Sequence, residues 1–326
     1  MSFIRKSALH KSASLLLLGS ALLAAGCSSS GGSTPAAGNA PAAQPETRSV
    51  KHLNGESAIP AEPKRIASLD YRLTDFLLAL GIKPYATGLY PGNVAPPYLD
   101  EAAIGEAKPL GDEVNVEAVL EAAPDVILGR KAQADLYDQL RAIAPTIIAD
   151  SPSADWKREL CAYGAMFGRE AQADEWLSAY DAQTARAKKA IAAVVPAGST
   201  FLYVRILPKE VRVHGPKQAL SDVLYADLGL TPAKGVEKLD DVMPISLEVL
   251  PDYEADYIFV EVGAPSADGD TDAQSNRSRI EQTSIWKNLK AVRAGHVYEM
   301  PQWVISEAPL IKQKSVEEVQ RALTRH

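Results

Sequence analysis

The sequence predicts an α/β protein of two lobes, each with a mainly parallel sheet and flanking helices, bridged by one long α-helix. Short apolar runs alternate with helical segments in both halves of the chain, a pattern typical of parallel sheets covered by helices. Between the halves, residues 169–194 contain no glycine or proline and have helical periodicity. A globular region of roughly 280 residues also suits two lobes better than one small core.

The N-terminus has the features of a lipoprotein signal peptide, predicted over residues 1–26. Three basic residues precede an apolar run at 14–25, which is shorter than the ~20 residues of a membrane span. The run ends in Leu-Leu-Ala-Ala-Gly-Cys, which resembles a lipobox in which Cys27 is acylated and becomes the mature N-terminus. An ordinary signal peptide followed by a chance cysteine is the alternative.

Residues 27–47 are predicted to form a flexible tether. Apart from Cys27, the stretch up to Pro45 is almost entirely Ser, Gly, Ala, Thr and Pro, a composition that cannot bury a core. A flexible segment after an acylated cysteine would hold a soluble domain close to a membrane. We therefore expect an extracytoplasmic protein, lipid-anchored to the outer face of the cell membrane. A Gram-positive setting is favoured and a periplasmic one is the alternative.

Charge and cysteine content exclude some functions. The formal net charge is −7, and removal of the signal peptide, which contains three basic and no acidic residues, makes the mature chain three charges more negative. This argues against a nucleic-acid partner. Cys161 is the one cysteine besides Cys27, so no internal disulfide can form. Its apolar surroundings predict a buried side chain rather than a nucleophile.

The N-terminal lobe is predicted over residues 48–168. Its strand-like runs are short, apolar and bounded by turn residues, and its helical runs end at glycine or proline. Strands are expected at 65–69, 85–89, 125–129 and 146–149, and helices at 74–80, 114–122 and 136–143.

The connecting helix is predicted over 169–195 and the C-terminal lobe over 196–326. Apolar or small residues recur in the helix at spacings of three and four, and Pro196-Ala-Gly198 ends it. A continuous helix between lobes makes a stiffer joint than the loops or strands that usually connect lobes.

Two helix–strand units resemble each other. In each, a glutamate within a short apolar helix precedes an aspartate that opens a strand, and the spacing from Glu117 to Asp125 equals that from Glu248 to Asp256. The match suggests two related lobes. Convergence of ordinary helix–loop–strand units is the alternative.

Several motifs, taken in order, resemble one known family. They include PKRIASLD, NVEAVLEAAPDVIL, FGREAQADEWLSAYDA, ISLEVLPDYEADYIFV and WKNLKAVRAGHVYEM. The chain is similar over its whole mature domain to the class III extracytoplasmic solute-binding proteins of ferric-siderophore, haem and cobalamin ABC importers. The resemblance implies two Rossmann-like lobes bridged by a long helix, with little lobe movement on binding.

The resemblance also implies a docking surface. The family's paired glutamates, one per lobe, contact arginines of the permease membrane subunits, which work with a cytoplasmic ATPase. By motif these glutamates fall on Glu117 and Glu248. Two carboxylates on a rigid body would set orientation through guanidinium groups. Alternatively, each glutamate only stabilises the positive end of its helix dipole.

The ligand site is expected between the lobes, where strand ends and their loops face one another. Candidates follow strand-like runs or, for the tryptophan, match the family's motif. They are Arg130, Lys131, Arg205, His214, Tyr90 and Trp303. Surface arginines and lysines are usually solvated, which is the alternative for the basic candidates.

The expected ligand is a ferric siderophore, with hydroxamate or citrate types favoured by a resemblance in LPKEVRVHG. The five histidines show no metal-ligand spacing, so no direct metal site is expected and iron arrives within its chelator. Haem and cobalamin are the alternatives within the family. An enzyme, such as a surface hydrolase or chelatase, is the alternative of another class, but no catalytic motif is visible and no catalytic residue or cofactor is assigned. A monomer is expected.

Overall fold

The computed structural model describes residues 46–93, 95–149, 155–265 and 270–325. The predicted signal peptide, Cys27 and nearly all of the tether lie outside the described residues. Among the helices that are described, none combines the length and apolar character needed to cross a membrane.

The N-terminal half contains a five-stranded parallel sheet. In chain order its elements are β1 (Thr47–His52), β2 (Gly55–Pro60), β3 (Ile66–Ser68), α1 (Tyr71–Ala79), β4 (Ala86–Thr87), α2 (Glu101–Ile104), β5 (Lys108–Pro109), α3 (Val116–Ala122), β6 (Val126–Arg130), α4 (Tyr137–Leu140) and β7 (Thr146–Ala149). The strand order is β5-β4-β3-β6-β7, and β1 and β2 form a separate antiparallel hairpin. The helix predicted over 136–143 is shorter than expected, because the chain must leave the helical conformation before Pro145.

The C-terminal half contains a mixed sheet. Its elements, with the helices that precede it, are α5 (Trp156–Phe167), α6 (Glu170–Ala192), β8 (Thr200–Ile206), β9 (Val211–His214), α7 (Leu220–Asp222), β10 (Thr231–Pro232), β11 (Val242–Ile245), β12 (Tyr257–Val262), α8 (Thr271–Gln282), α9 (Ser284–Asn288), α10 (Lys290–Ala294), β13 (Val297–Met300) and α11 (Pro309–Thr324). The order is β11-β9-β8-β12-β13, with β10 also on β8. Strand β9 is antiparallel to β8, since only a short hairpin joins the two, and β11 is antiparallel to β9.

The predicted connecting helix is confirmed as α6, which runs from Glu170 to Ala192. One apolar core continues from the N-terminal sheet through α5, α6 and α11 into the C-terminal sheet. The C-terminal helix α11 packs along α6 and also against α1 and α5. Two long helices therefore tie the halves together, which supports a stiff joint. The lobe boundaries themselves stay predictions.

A buried carboxylate strengthens this joint. Helix α11 has no side-chain cap of its own, because Ala308 occupies the N-cap position. Asp75, on α1, instead accepts hydrogen bonds from the amides of Leu310 (2.7 Å) and Ile311 (3.2 Å). Asp75 is 0% exposed. Its burial outweighs the hydrogen bonds and raises its pKa to about 7.

The repeated aspartates have the same structural role in both sheets. The carboxylate of Asp125 accepts from the Arg65 amide (2.9 Å), and the Asp125 amide donates back to the Arg65 carbonyl (2.9 Å). Asp256 forms the same reciprocal pair with Thr200, at 2.9 and 3.0 Å. Each aspartate thus fixes the start of the neighbouring parallel strand. This agreement supports the predicted relationship between the lobes.

The expectation for Cys161 is wrong, because its side chain is exposed. The buried face of α5 consists of Trp156, Leu160, Tyr163, Gly164 and Phe167. Cys161 lies one position away from Leu160 and so turns to another side of the helix.

Candidate ligand-binding cleft

A cavity of about 250 Å³ lies between the two halves of the protein. Helices α1 and α5 form one wall, together with the end of β6. The other wall comes from the end of β9, the turn before α7 and the segment before α11. The residues that line the cavity include Arg72, Arg130, Trp156, Glu159, His214, Ala219 and Glu307. A cleft between lobes is where the sequence predicted ligand binding.

Asp70 holds two arginines on the N-terminal wall. It caps α1 by accepting from the Arg72 amide (2.9 Å), and its carboxylate also binds the Arg72 guanidinium through Nε (2.8 Å) and Nη2 (2.7 Å). Arg130 Nη1 donates to the same carboxylate at 3.2 Å. Burial tends to raise the pKa of Asp70, but the bonds and charges of both arginines prevail and lower it. Arg72 was missed by the sequence reasoning, although its place just after β3 was a usable signal.

His214 lies on the C-terminal wall as a neutral imidazole. It is 2% exposed, and neither ring nitrogen has a hydrogen-bond partner among the described residues. Burial, reinforced by the charges of Arg205 and Arg212, lowers its pKa to about 3. The ring lies 4.7 Å from that of Tyr203. His214 therefore lines the cavity with a neutral ring whose two nitrogens are both buried.

Arg205 does not line this cavity. Its Nε approaches Glu261 Oε1 at 2.9 Å, and Nε and Nη2 both donate to the Gly263 carbonyl, at 3.0 and 2.8 Å. Glu261 is 0% exposed, and burial raises its pKa to about 7. Sequence reasoning placed Arg205 at the end of its strand, but β8 continues to Ile206 and turns the side chain into the interior.

The pair Arg205–Glu261 has a counterpart in the other lobe. Glu261 and Arg205 are register partners in β12 and β8. The register of β6 and β3 pairs Leu128 with Ser68, so Arg130 and Asp70 occupy the corresponding positions two residues further on. Each lobe thus has an ion pair at the carboxyl ends of its central strands. In the N-terminal lobe the carboxylate follows β3 and the arginine ends β6, whereas in the C-terminal lobe the arginine lies on β8 and the carboxylate on β12.

The other three candidates lie outside the cavity lining. Tyr90 is buried and packs edge-on against Tyr71 at 5.0 Å, and Trp303 packs against Tyr98 at 5.3 Å. Lys131 is exposed at the start of the turn after β6. Of the six predicted residues, the structure brings Arg130 and His214 together at the cavity.

An ion pair on the C-terminal wall was not predicted. Lys312 Nζ lies 2.5 Å from Glu307 Oε2 and donates to the Ala219 carbonyl at 2.8 Å. The Ala219 amide donates to Glu307 Oε1 at 2.6 Å. Burial raises the pKa of Glu307, with the Lys312 charge acting in the opposite direction. No pattern in the sequence predicts this ion pair, because Lys312 has the sequence context of an ordinary surface lysine on a helix.

The two predicted docking glutamates occupy matching places. Glu117 is exposed in the first turn of α3, where Asn115 accepts from the Glu117 amide at 2.9 Å. Glu248 is exposed in the 3₁₀ turn Leu247–Tyr253, and hydrogen bonds from its own amide and from Ser246 lower its pKa. Both carboxylates are therefore accessible to a partner.

The described part of the chain contains no cluster of three or more His, Cys, Asp or Glu residues suited to hold a metal ion. A ligand in this cleft would contact arginine, imidazole, carboxylate and tryptophan groups.

Comparison with known proteins shows the family to which the chain belongs. Residues 66–303 match the family model described as periplasmic binding protein. The chain is 34% identical over 315 residues to the probable siderophore-binding lipoprotein YfiY of Bacillus subtilis, covering 93% of this chain and 94% of that protein.

Two solved structures share the fold. Staphylococcus aureus SirA complexed with staphyloferrin B has a TM-score of 0.72 and 26% identity, over 85% of this chain and 98% of that one. A FhuD fold-family binding protein component of a Fep/Fec-like ferrichrome ABC transporter from Bacillus subtilis has a TM-score of 0.75 and 28% identity, over 85% and 100%. This chain belongs to the periplasmic binding protein family.

Proposed function

We propose that this protein is the substrate-binding component of an ABC importer and that it holds a ferric siderophore, of hydroxamate or citrate type, between its lobes. The observation that carries the proposal is the cavity walled by both lobes, with Arg72, Arg130 and His214 among the residues that line it. These groups suit the oxygen-rich surface of a ferric chelate. The names of the relatives agree: one is a probable siderophore-binding lipoprotein, one was solved with staphyloferrin B and one serves a ferrichrome transporter.

The protein acts by binding, not by catalysis. Iron stays within its chelator, so the cleft needs to complement the outer surface of the complex and not to coordinate the metal. The stiff joint formed by α6 and α11 keeps both walls in place, which lowers the ordering cost of binding.

Delivery depends on two surfaces. Glu117 and Glu248 dock onto arginines of the permease, one glutamate for each lobe; their exposure and matching positions in the repeat support this role. Acylation of Cys27 anchors the protein to the outer face of the cell membrane and keeps the loaded monomer near the importer. The sequence around Cys27 and the word lipoprotein in the name of one relative support the anchor.

Tryptophan fluorescence tests the proposal, because Trp156 lies on the cavity wall. The purified protein is titrated with ferric hydroxamate, citrate and catecholate siderophores, with haem and with cobalamin. Saturable quenching by a ferric siderophore, with no response to haem or cobalamin, is expected. Quenching by haem or cobalamin alone would refute the substrate assignment and leave a binding protein of another specificity.

A further inference from the structure

The charged side chains around the cavity carry no net positive charge. Arg72 and Arg130 line it, but so do Glu159 and Glu307, and Asp70 binds both arginines. Behind Glu307 lie Lys312 and Asp222, 3.5 Å apart. Among the described residues of this group, the three cations are Arg72, Arg130 and Lys312, and the four carboxylates are Asp70, Glu159, Asp222 and Glu307. The cavity wall is therefore close to neutral overall.

Glu307 is the fixed carboxylate of this wall. Lys312 holds one oxygen and the Ala219 amide holds the other. Ala219 has φ 50° and ψ −125°, a conformation that is strained for a residue with a Cβ. Both the amide and the carbonyl of this strained residue bind the pair. Lys312 is 1% exposed, whereas Glu307 is 18% exposed and lines the cavity, so Glu307 is the more accessible member of the pair.

Three other basic groups lie nearby and add no free positive charge: Arg205, His214 and Arg212, of which Arg212 pairs with Glu210. Arg205 is bound by Glu261 and by the Gly263 carbonyl. His214 is buried next to two arginines, which disfavours a charged imidazole. An anionic ligand would thus meet two arginines that share one carboxylate on the N-terminal wall and, on the C-terminal wall, the Glu307 carboxylate, which is paired with Lys312.

We propose that Glu307 is a specificity-determining residue that makes the cleft select an uncharged ferric complex, such as a tris-hydroxamate, over anionic tris-catecholate or citrate-type complexes. Three hydroxamates, each with one negative charge, cancel the charge of Fe(III), whereas catecholates and citrate-type chelators leave an excess. In a partly dry cleft a like charge at close range is costly. The inference rests on the proposed function and narrows the expected ligands to ferric complexes without net charge.

The test compares ferric complexes of different charge on four forms of the full mature protein. These are wild type, Glu307→Gln, the control Glu317→Gln and a double variant. Glu317 is half-exposed on α11 and pairs with Lys314, so the control changes net charge equally without altering the cavity wall. The double variant, Glu307→Gln with Lys312→Gln, removes both charges of the pair in case the single variant folds poorly. Circular dichroism checks folding, and tryptophan quenching gives each Kd.

Wild type should bind the tris-hydroxamate and discriminate against the tris-catecholate. Glu307→Gln should tighten binding of the tris-catecholate by about tenfold or more and change that of the tris-hydroxamate much less. Equal or tighter binding of the anionic complexes by wild type, or a change in Glu307→Gln no larger than in the control, would overturn the inference while the proposed function stands. If no ferric complex binds wild type, the proposed function fails and this inference fails with it.

Discussion

Replacing Asp75 by Asn should change how stability depends on pH. Asp75 joins α1 to the first turn of α11 through two amides, in a site with no access to water. Asn resembles the protonated acid in size and polarity but cannot ionise. The difference between the two proteins therefore isolates the ionisation of this one carboxyl.

The sign follows from the pKa values. The pKa of Asp75 is 3.8 as an ordinary carboxyl and about 7 in the folded protein. Between these values the folded state binds more protons than the unfolded state, so the contribution of Asp75 to stability is full at low pH and is lost as pH rises. Integrating between pH 5 and pH 8 gives a loss of about 3 kcal/mol. The Asp75→Asn variant cannot lose stability in this way. Its free energy of unfolding should therefore rise relative to wild type by about 3 kcal/mol between pH 5 and pH 8.

Urea unfolding of both proteins at pH 5, 6, 7 and 8 measures the difference. The carboxyl of Glu261, with a raised pKa, and His214, with a lowered pKa, also titrate differently on folding, but they are present in both proteins and cancel. The reasoning is refuted if the free-energy difference between variant and wild type is constant with pH, or if it falls as pH rises.

Three further predictions concern docking, the cleft and the sheet. Alanine at both Glu117 and Glu248 should abolish siderophore uptake in cells while the Kd of the purified protein stays within about twofold, and Glu121→Ala on the same helix should transport normally. Retained uptake in the double variant would disprove the docking role. Asp70→Ala should lower the free energy of unfolding by about 2–4 kcal/mol, because it removes a helix cap and leaves two arginines without their carboxylate; Asp70→Asn, which keeps the cap, should lose less. Gly88→Ala should destabilise the protein by about 2 kcal/mol or more in urea unfolding, since a Cβ there would lie 2.4 Å from a backbone carbonyl oxygen. Wild-type stability would show that the backbone can move aside.

Local pattern was enough to predict four strands of the N-terminal sheet and the connecting helix, whereas the hairpin β1–β2 and helix α5 were not predicted. The strand at 146–149 could be identified as a short apolar run buried at successive positions, and helix α6 by its spacing of three and four, without tertiary contacts. The equal spacing of Glu117–Asp125 and Glu248–Asp256 likewise pointed to the repeat. The reciprocal bonds of both aspartates support that interpretation.

Contacts between residues far apart in sequence decided the rest. Arg130 and His214 line one cavity because the ends of β6 and β9 lie on its opposite walls, whereas Arg205 turns inward to Glu261. No local pattern distinguishes an arginine that faces a cleft from one that pairs inside, since both follow apolar strand residues. The Glu307–Lys312 pair and the cap of α11 by Asp75 depend equally on which surfaces pack together. Sequence thus determined the alternation of strands and helices, the connecting helix and the family resemblance, while tertiary packing determined which charges line the cavity.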